Sequence, residues 1–192
     1  MIVLPEPGDV PMPLGEALRT RRSRYSYAPL APDLLSTLLH NALGVQRHQE
    51  SHVLGMAPNA GGLPSLRVHV VHDGEVYEYL RGPHDLVARG KSDLTGVFAQ
   101  EEFARRAHTV IVLSGHLGPG LAKYGERHHR TVHLDAGVAV QNLYLVATAL
   151  GLNGCAVAGF ADAAVAALVG APYPLALFVV GATPRNGHKN RP

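Results

Sequence analysis

The chain is poor in charge and in sulfur. Lys, Arg, Asp and Glu make up 17% of its 192 residues and the formal charge is only +2. A self-repelling, disordered chain is therefore excluded, and neither a nucleic-acid nor a membrane-surface partner is expected. There is one cysteine, Cys155. No intramolecular disulfide can form, which fits a reducing compartment and an expected cytoplasmic location. Its apolar neighbours Ala156 and Val157 mark a buried thiol rather than a nucleophile. No run of roughly 20 apolar residues, the length of a membrane span, is uninterrupted. The stretch from Val132 to Leu150 comes nearest, but His133, Asp135, Gln141 and Asn142 break it. Met1 to Pro13 lacks the basic start and apolar run of a signal peptide. No Walker A loop, Gly-x-Gly-x-x-Gly fingerprint, internal repeat or low-complexity block occurs, so P-loop and dinucleotide-fold readings lose their usual support.

What is present is a hydrophobic fraction of 46%, enough for one substantial core and too little for two, so residues 1–192 are expected to form one domain. Leu14, Ala17 and Leu18 predict a short helix. Pro32 opens a second, whose apolar stripe runs Leu34, Leu35, Leu38, Leu39, Ala42, Leu43. Gln46 to His52 is polar and reads as a loop. Leu66, Val68 and Val70 alternate with Arg67 and His69 as in a strand with one covered face, and Asp73-Gly74 is a two-residue hairpin turn leading to a return strand at Val76 to Leu80. A helix is expected from Leu94 to Arg106 and a buried strand at Thr109 to Leu113. A long helix then begins at Lys123-Tyr124 and ends near Leu150, with Gly151 as its left-handed cap. That helix is apolar on nearly every face and must be covered all round, in part by a partner subunit. Ala156 and Val157 belong to another strand, Asp162 caps a short helix to Val169, and Leu175 to Val180 is the last strand. The fold class is α+β: a mixed, mainly antiparallel sheet flanked by helices around a long buried one.

Four segments can carry chemistry. Arg21-Arg22-Ser23 follows a helix, and two guanidiniums with a hydroxyl can hold a phosphate. Pro58-Asn59-Ala60-Gly61-Gly62-Leu63-Pro64 runs into a strand, and paired glycines let backbone amides approach a planar ligand. Lys123-Tyr124 in Lys-Tyr-Gly-Glu-Arg can act as a proton-transfer pair, with Arg127 close enough in sequence to disfavour the lysine's charge. Ala158-Gly159-Phe160 forms a strand-to-helix turn with free amides. Each of these alone also fits an ordinary loop, helix start or solvated face. His129 and His133 could share a helix face, but no carboxylate or cysteine completes a site, so no metal is expected.

In this order along one chain, Arg-Arg-Ser, Pro-Asn-Ala-Gly-Gly-Leu-Pro, Lys-Tyr-Gly-Glu-Arg, Asp-Ala-Gly-Val-Ala-Val-Gln-Asn-Leu (135–143) and Gly-Leu-Asn-Gly-Cys-Ala-Val-Ala-Gly-Phe (151–160) resemble the SagB-type azoline dehydrogenases, a branch of the FMN-dependent nitroreductase superfamily. The resemblance runs from about Leu14 to Gly181. It implies a nitroreductase-like homodimer with FMN at the subunit interface. It further implies that Arg21, Arg22 and Ser23 hold the FMN phosphate and ribityl chain and that Asn59, Ala60, Gly61 and Gly62 line the isoalloxazine. Gln141 and Asn142 would face the flavin, Ala158, Gly159 and Phe160 would lie near its reactive edge, and Lys123 and Tyr124 would move the substrate proton. The implied reaction oxidises thiazoline or oxazoline rings of a peptide to thiazoles or oxazoles, in company with a cyclodehydratase complex. An NAD(P)H-dependent nitro or quinone reductase and a non-catalytic flavin-binding scaffold of such a complex are the alternatives. Two positions depart from the pattern: Asn59 stands where Ser is common, and Tyr25 where a phosphate-binding cation is usual. Arg24 beside it, or Arg185, Lys189 or Arg191 in the tail, would then supply the charge. With only Met1 to Pro13 ahead of the match, no N-terminal peptide-binding extension is expected.

Overall fold

The computed structural model describes residues 2–49 and 52–184. Its centre is a seven-stranded sheet of order β1-β6-β5-β4-β7-β9-β8. The strands are β1 (Ile2–Val3), β4 (Leu66–His72), β5 (Glu75–Leu80), β6 (Asp85–Lys91), β7 (Thr109–Gly115), β8 (Asn153–Val157) and β9 (Pro174–Gly181). Each pairing between them is antiparallel. The β4–β5 turn is made by Asp73 and Gly74, both at positive φ (47° and 77°), the backbone that an Asp-Gly hairpin turn adopts. All seven residues of β7 are buried, as its unbroken apolar run requires at the middle of a sheet covered on both faces.

Alternation along the strands divides the core in two. On one face Val68, Val70, Ile111, Leu113, Phe178 and Val180 pack against helices α2 (Pro32–Leu43) and α5 (Arg127–Ala149). The short helix α1 (Leu14–Thr20) lies against α5 on that side. On the other face Val71, Val110, Val112, Leu177 and Val179 meet Val97, Phe98 and the helix α6 (Asp162–Val169). Pro32 occupies the first turn of α2, where its missing N–H costs nothing. Gly151 ends α5 at φ 69°.

Several expectations are corrected. Residues 46–52 are not a loop throughout: β2 (Val45–Gln49) and β3 (His52–Gly55) pair as a separate two-stranded ribbon. Its exposed side chains show no alternation for a sequence pattern to detect. The helix expected from Leu94 to Arg106 is only α3 (Glu101–Arg106). The residues before it are held by tertiary bonds instead, with Phe98 bridged to Phe160 and Ala99 N–H donating to the Gly159 carbonyl at 2.9 Å. Strand β4 is covered on both faces, since His69 is buried on the side assigned to solvent. Asp162 is the first helical residue of α6 rather than its cap. Ala161 takes the cap position without a side-chain bond, and the Asp162 charge acts on the helix N-terminus instead. Lys123 and Tyr124 do not open the long helix. They close a separate helix, α4 (Gly118–Tyr124), and Gly125 at φ 60° breaks the chain before α5.

Candidate functional site

Helix α5 carries the site. Its buried stripe is His128, Val132, Asp135, Ala136, Ala139, Leu143 and Ala147, the spacing of one helical face. Two members, His128 and Asp135, are ionisable.

At the Asp135 end three segments converge. The segment Ala60–Gly62 is a single 3-10 turn with Gly61 and Gly62 at φ 64° and 67°, a left-handed pair that only glycine adopts at little cost. The Ala60 N–H donates to Asp135 Oδ1 at 3.0 Å. The Asn59 amide closes the turn by donating to the Leu63 carbonyl. Lys123 and Tyr124 face the turn directly. A Cβ on Gly61 would lie 2.9 Å from Lys123 Nζ and would collide with the Tyr124 hydroxyl. Lys123 Nζ stands 5.4 Å from the Tyr124 ring centroid, a cation–π distance. Helix α4 is seated on α5 by its own glycine: a side chain at Gly120 would overlap the His128 ring. The structure thus brings two of the four sequence segments together.

The other end of α5 holds the Arg21-Arg22-Ser23 segment at Tyr144, while Gly159 and Phe160 pair with Ala99 and Phe98. The Tyr144 hydroxyl lies 2.8 Å from Ser23 Oγ and accepts the Ala156 N–H at 2.8 Å. The Arg21 guanidinium sits 5.0 Å over its ring. The bond to Ala156 holds β8 in place, and β8 leads into Ala158-Gly159-Phe160. A cavity of about 300 Å³ opens here, lined among others by Thr20, Arg22, Arg24, Tyr144, Asn153 and Thr183. The ion pairs among the described residues all lie elsewhere, so Arg21, Arg22 and Arg24 converge with no carboxylate to neutralise them. Two guanidiniums lining the cavity, Arg22 and Arg24, with a third over the Tyr144 ring, are suited to a phosphate. Tyr25 packs edge-on against Phe103 at 6.0 Å, joining the arginine loop to the aromatic cluster that includes Phe98. Arg185, Lys189 and Arg191 lie outside the described residues.

The two ends share no hydrogen bond among the described residues; α5 is what they have in common. Between them, Gln141 is exposed. The Asn142 amide nitrogen is engaged by the Ala42 and Met56 carbonyls, each at 3.2 Å, so it ties α2 and the approach to the glycine turn onto α5. Three residues escaped the sequence reading: His128, Asp135 and Tyr144. The available signal was polarity within an apolar helical stripe, since a buried carboxylate or imidazole there needs a reason. Burial pushes the Asp135 carboxyl above the usual carboxylate range, with the Ala60 N–H and His128 acting against that shift. Among the described residues no group of three or more His, Cys, Asp or Glu could hold a metal ion. Nor is any helix there long and apolar enough to cross a membrane. Cys155 is buried and free.

Comparison with known proteins identifies this scaffold. The Nitroreductase family model matches residues 18–182. A candidate nitroreductase of Methanocaldococcus jannaschii is 30% identical over 182 residues, covering 88% of this chain and 90% of its own. A candidate nitroreductase of Ralstonia eutropha JMP134 superposes with a TM-score of 0.85 at 24% identity, over 96% of this chain and 90% of that one. Similar folds occur in a candidate nitroreductase of Desulfovibrio desulfuricans solved in complex with FMN (TM-score 0.63, 20% identity, 94% and 92% coverage). They occur also in the Escherichia coli microcin synthetase McbBCD complex with truncated pro-MccB17 bound (TM-score 0.69, 21% identity, 88% and 73% coverage). From the family match along most of its length and the similarity to the archaeal protein, this chain belongs to the nitroreductase family.

Proposed function

We propose that this FMN-dependent oxidoreductase is an azoline dehydrogenase, converting thiazoline or oxazoline rings in a peptide to thiazoles or oxazoles. The observation that carries the reading is the contact of the Gly61 turn with both Lys123 and Tyr124. A reductase fed by a nicotinamide cofactor needs no paired acid and base against that turn, whereas aromatisation of an azoline requires that a carbon-bound proton be taken away. The residues present fit FMN: the unneutralised Arg21, Arg22 and Arg24 suit its phosphate, and the left-handed glycine pair leaves the open, side-chain-free surface that a planar ring needs. Bound FMN supplies a two-electron couple, so the azoline loses a proton and a hydride and its ring becomes aromatic.

The chain's own part is positioning and proton transfer. Arg21, Arg22 and Ser23 anchor the phosphate and ribityl end, with Tyr144 fixing Ser23. Asn59 to Gly62 and Ala158 to Phe160 shape the ring's surroundings, together with Gln141. Lys123 or Tyr124, as the neutral amine or the phenolate, takes the proton from the ring's Cα, the two standing together against the Gly61 turn. Leu134 and Val138 on α5, with Leu14 and Leu18 on α1, are large apolar side chains left exposed; a second copy of the chain would cover them and complete the site as a homodimer. The McbBCD neighbour supports a partnership with a cyclodehydratase-type complex, which would deliver the azoline peptide.

The direct test is mass spectrometry of an azoline-bearing peptide incubated with the yellow protein, with a loss of two hydrogens per ring expected. Lys123→Ala should retain FMN and lose about 10³-fold in azole formation, the middle of the range for a removed general base. Full turnover by that variant would remove the lysine from the mechanism. The archaeal relative's name favours a second reading, an NAD(P)H-dependent nitro or quinone reductase. Steady NADPH oxidation with a nitroaromatic, and no azole product, would establish that one instead.

A further inference from the structure

Asp135 is a carboxylate 6% exposed on the buried stripe of α5. Its Oδ1 accepts the Ala60 N–H at 3.0 Å, and its Oδ2 is buried with no hydrogen-bond partner. A buried carboxyl oxygen without a partner is costly, and natural folds keep such groups rarely. The bond it does make fixes the first residue of the left-handed glycine turn, and the next residue of that turn, Gly61, is the wall against which the Tyr124 hydroxyl and Lys123 Nζ rest. We infer that Asp135 is a positioning residue: it acts through the Ala60 N–H and the Gly61 turn to set where Tyr124 and Lys123 stand relative to the reacting ring. The inference rests on the proton-transfer role proposed for that pair. His128, seven residues before Asp135 and so on the same helical face, holds the other member of the arrangement. Its ring underlies Gly120 and seats α4, which bears Lys123 and Tyr124. One helix face therefore sets both sides of the contact.

The role makes demands that a merely structural carboxylate would not. Asp135→Asn keeps an oxygen acceptor for the Ala60 N–H and should retain most of the turnover. Asp135→Ala removes the acceptor and should lower kcat by about 10²-fold, the cost of a small misplacement of reacting groups, with little change in KM. In a Tyr124→Phe background the same Asp135→Ala change should cost less than in the unaltered protein, because two residues acting through one group are not additive. Should Asp135→Ala fail to fold, Ala60→Pro deletes the same bond from the donor side, and Asn59, already extended at φ −138° and ψ 160°, accepts a following proline. It should give the same selective loss of kcat.

A second measurement needs no substrate. In the FMN-loaded protein, the Tyr124 ring carbon resonance and the amide exchange of residues 60–62 should both change in Asp135→Ala and be restored in Asp135→Asn. Turnover by Asp135→Ala equal to the unaltered protein, losses additive with Tyr124→Phe, or a Tyr124 resonance indifferent to Asp135 would each overturn the inference. If the unaltered protein makes no azole at all, the azoline reading falls. The resonance and exchange measurements still decide whether Asp135 positions Tyr124.

Discussion

At the Tyr144 end of α5 the tyrosine hydroxyl has two partners, Ser23 Oγ and the Ala156 N–H. At the other end, His128 Nε2 and Asp135 Oδ2 are buried with none. The first end presents three arginines that form no ion pair among the described residues; the second presents glycines packed so closely that side chains would collide with Lys123, Tyr124 or the His128 ring. A charge-binding end needs loose, solvated cations on a satisfied frame. A proton-transfer end needs atoms held where they do not rest by preference, and sites of that kind concentrate local strain and unmet polar groups. The same helix can therefore be tested at each end for opposite responses: shape changes should harm turnover at one and charge changes should harm cofactor retention at the other.

The largest effect is expected at the close-packed end. Gly61→Val puts a branched side chain where a Cβ alone meets Tyr124 and Lys123, at a φ of 64° that β-branched residues avoid. Turnover should fall by more than about 10²-fold, and stability by about 1–3 kcal/mol, the usual cost of a residue forced into that region. FMN content, read from absorbance after desalting, should fall too, since the glycine pair faces the ring, but turnover per bound flavin should fall further. Loss of FMN with retained turnover per bound flavin would reverse the assignment of the two ends. Next in size, Arg21→Gln and Arg22→Gln should each weaken FMN binding by about 10- to 100-fold, from about 1.5–3 kcal/mol per charge-assisted bond, and should reduce the salt dependence of binding. Flavin fluorescence on titration measures this, with kcat at saturating FMN nearly unaffected. Arg24→Gln sharpens the point, because an equal loss there would make Arg24 the cation that Tyr25 does not provide. Smaller again, Tyr144→Phe leaves the Ala156 N–H and Ser23 Oγ without their partner. Stability should drop by about 1–3 kcal/mol, measurable by denaturant unfolding, and FMN affinity should drop with it.

Where the sequence was legible, one face of an element was apolar with a clear period: α1, α2, the β4–β5 hairpin, β7, β8 and β9 all stand close to where spacing put them. It failed at the margins. The β2–β3 ribbon is polar and exposed, and β6 (Asp85–Lys91) has only Leu86 and Val87 as large apolar residues before an exposed Ala-Arg-Gly-Lys end. Beyond the two residues that β1 covers, β6 pairs on one side only, and such a strand needs no apolar alternation, so it leaves none to read. The residues 94–100 look helical because Leu94, Val97 and Phe98 are spaced for it, but tertiary bonds to Gly159 and Phe160 outweigh a weak local preference. Within the site, the resemblance gave Gly61 and the Lys123-Tyr124 pair separate roles, and their contact was not read from the sequence. The supports were not anticipated. Asp135, His128 and Tyr144 act by reaching across from one helix to distant loops, and residue spacing within α5 carries no information about which loops those are.

The smallest effect isolates the unpartnered oxygen itself. Burial raises the Asp135 carboxyl above its ordinary range, against the opposing pull of the Ala60 N–H and His128. A carboxyl whose affinity for a proton is higher folded than unfolded makes the folded state bind more protons, and stability then decreases as pH rises. Its favourable contribution is complete below the unfolded carboxylate range and is lost as pH climbs through the raised folded value. Asp135→Asn has no such proton to lose. The unfolding free energy of the variant relative to the unaltered protein should therefore improve steadily from acidic pH to neutrality, with the two curves parallel once the carboxyl is fully ionised. Denaturant unfolding at a series of pH values reads the difference directly. A difference independent of pH would mean that Asp135 stays ionised in the fold without penalty. Oδ2 would then have to be solvated by water reaching it through the glycine turn, and the rigid contact at Gly61 would be looser than its close approach to Tyr124 implies.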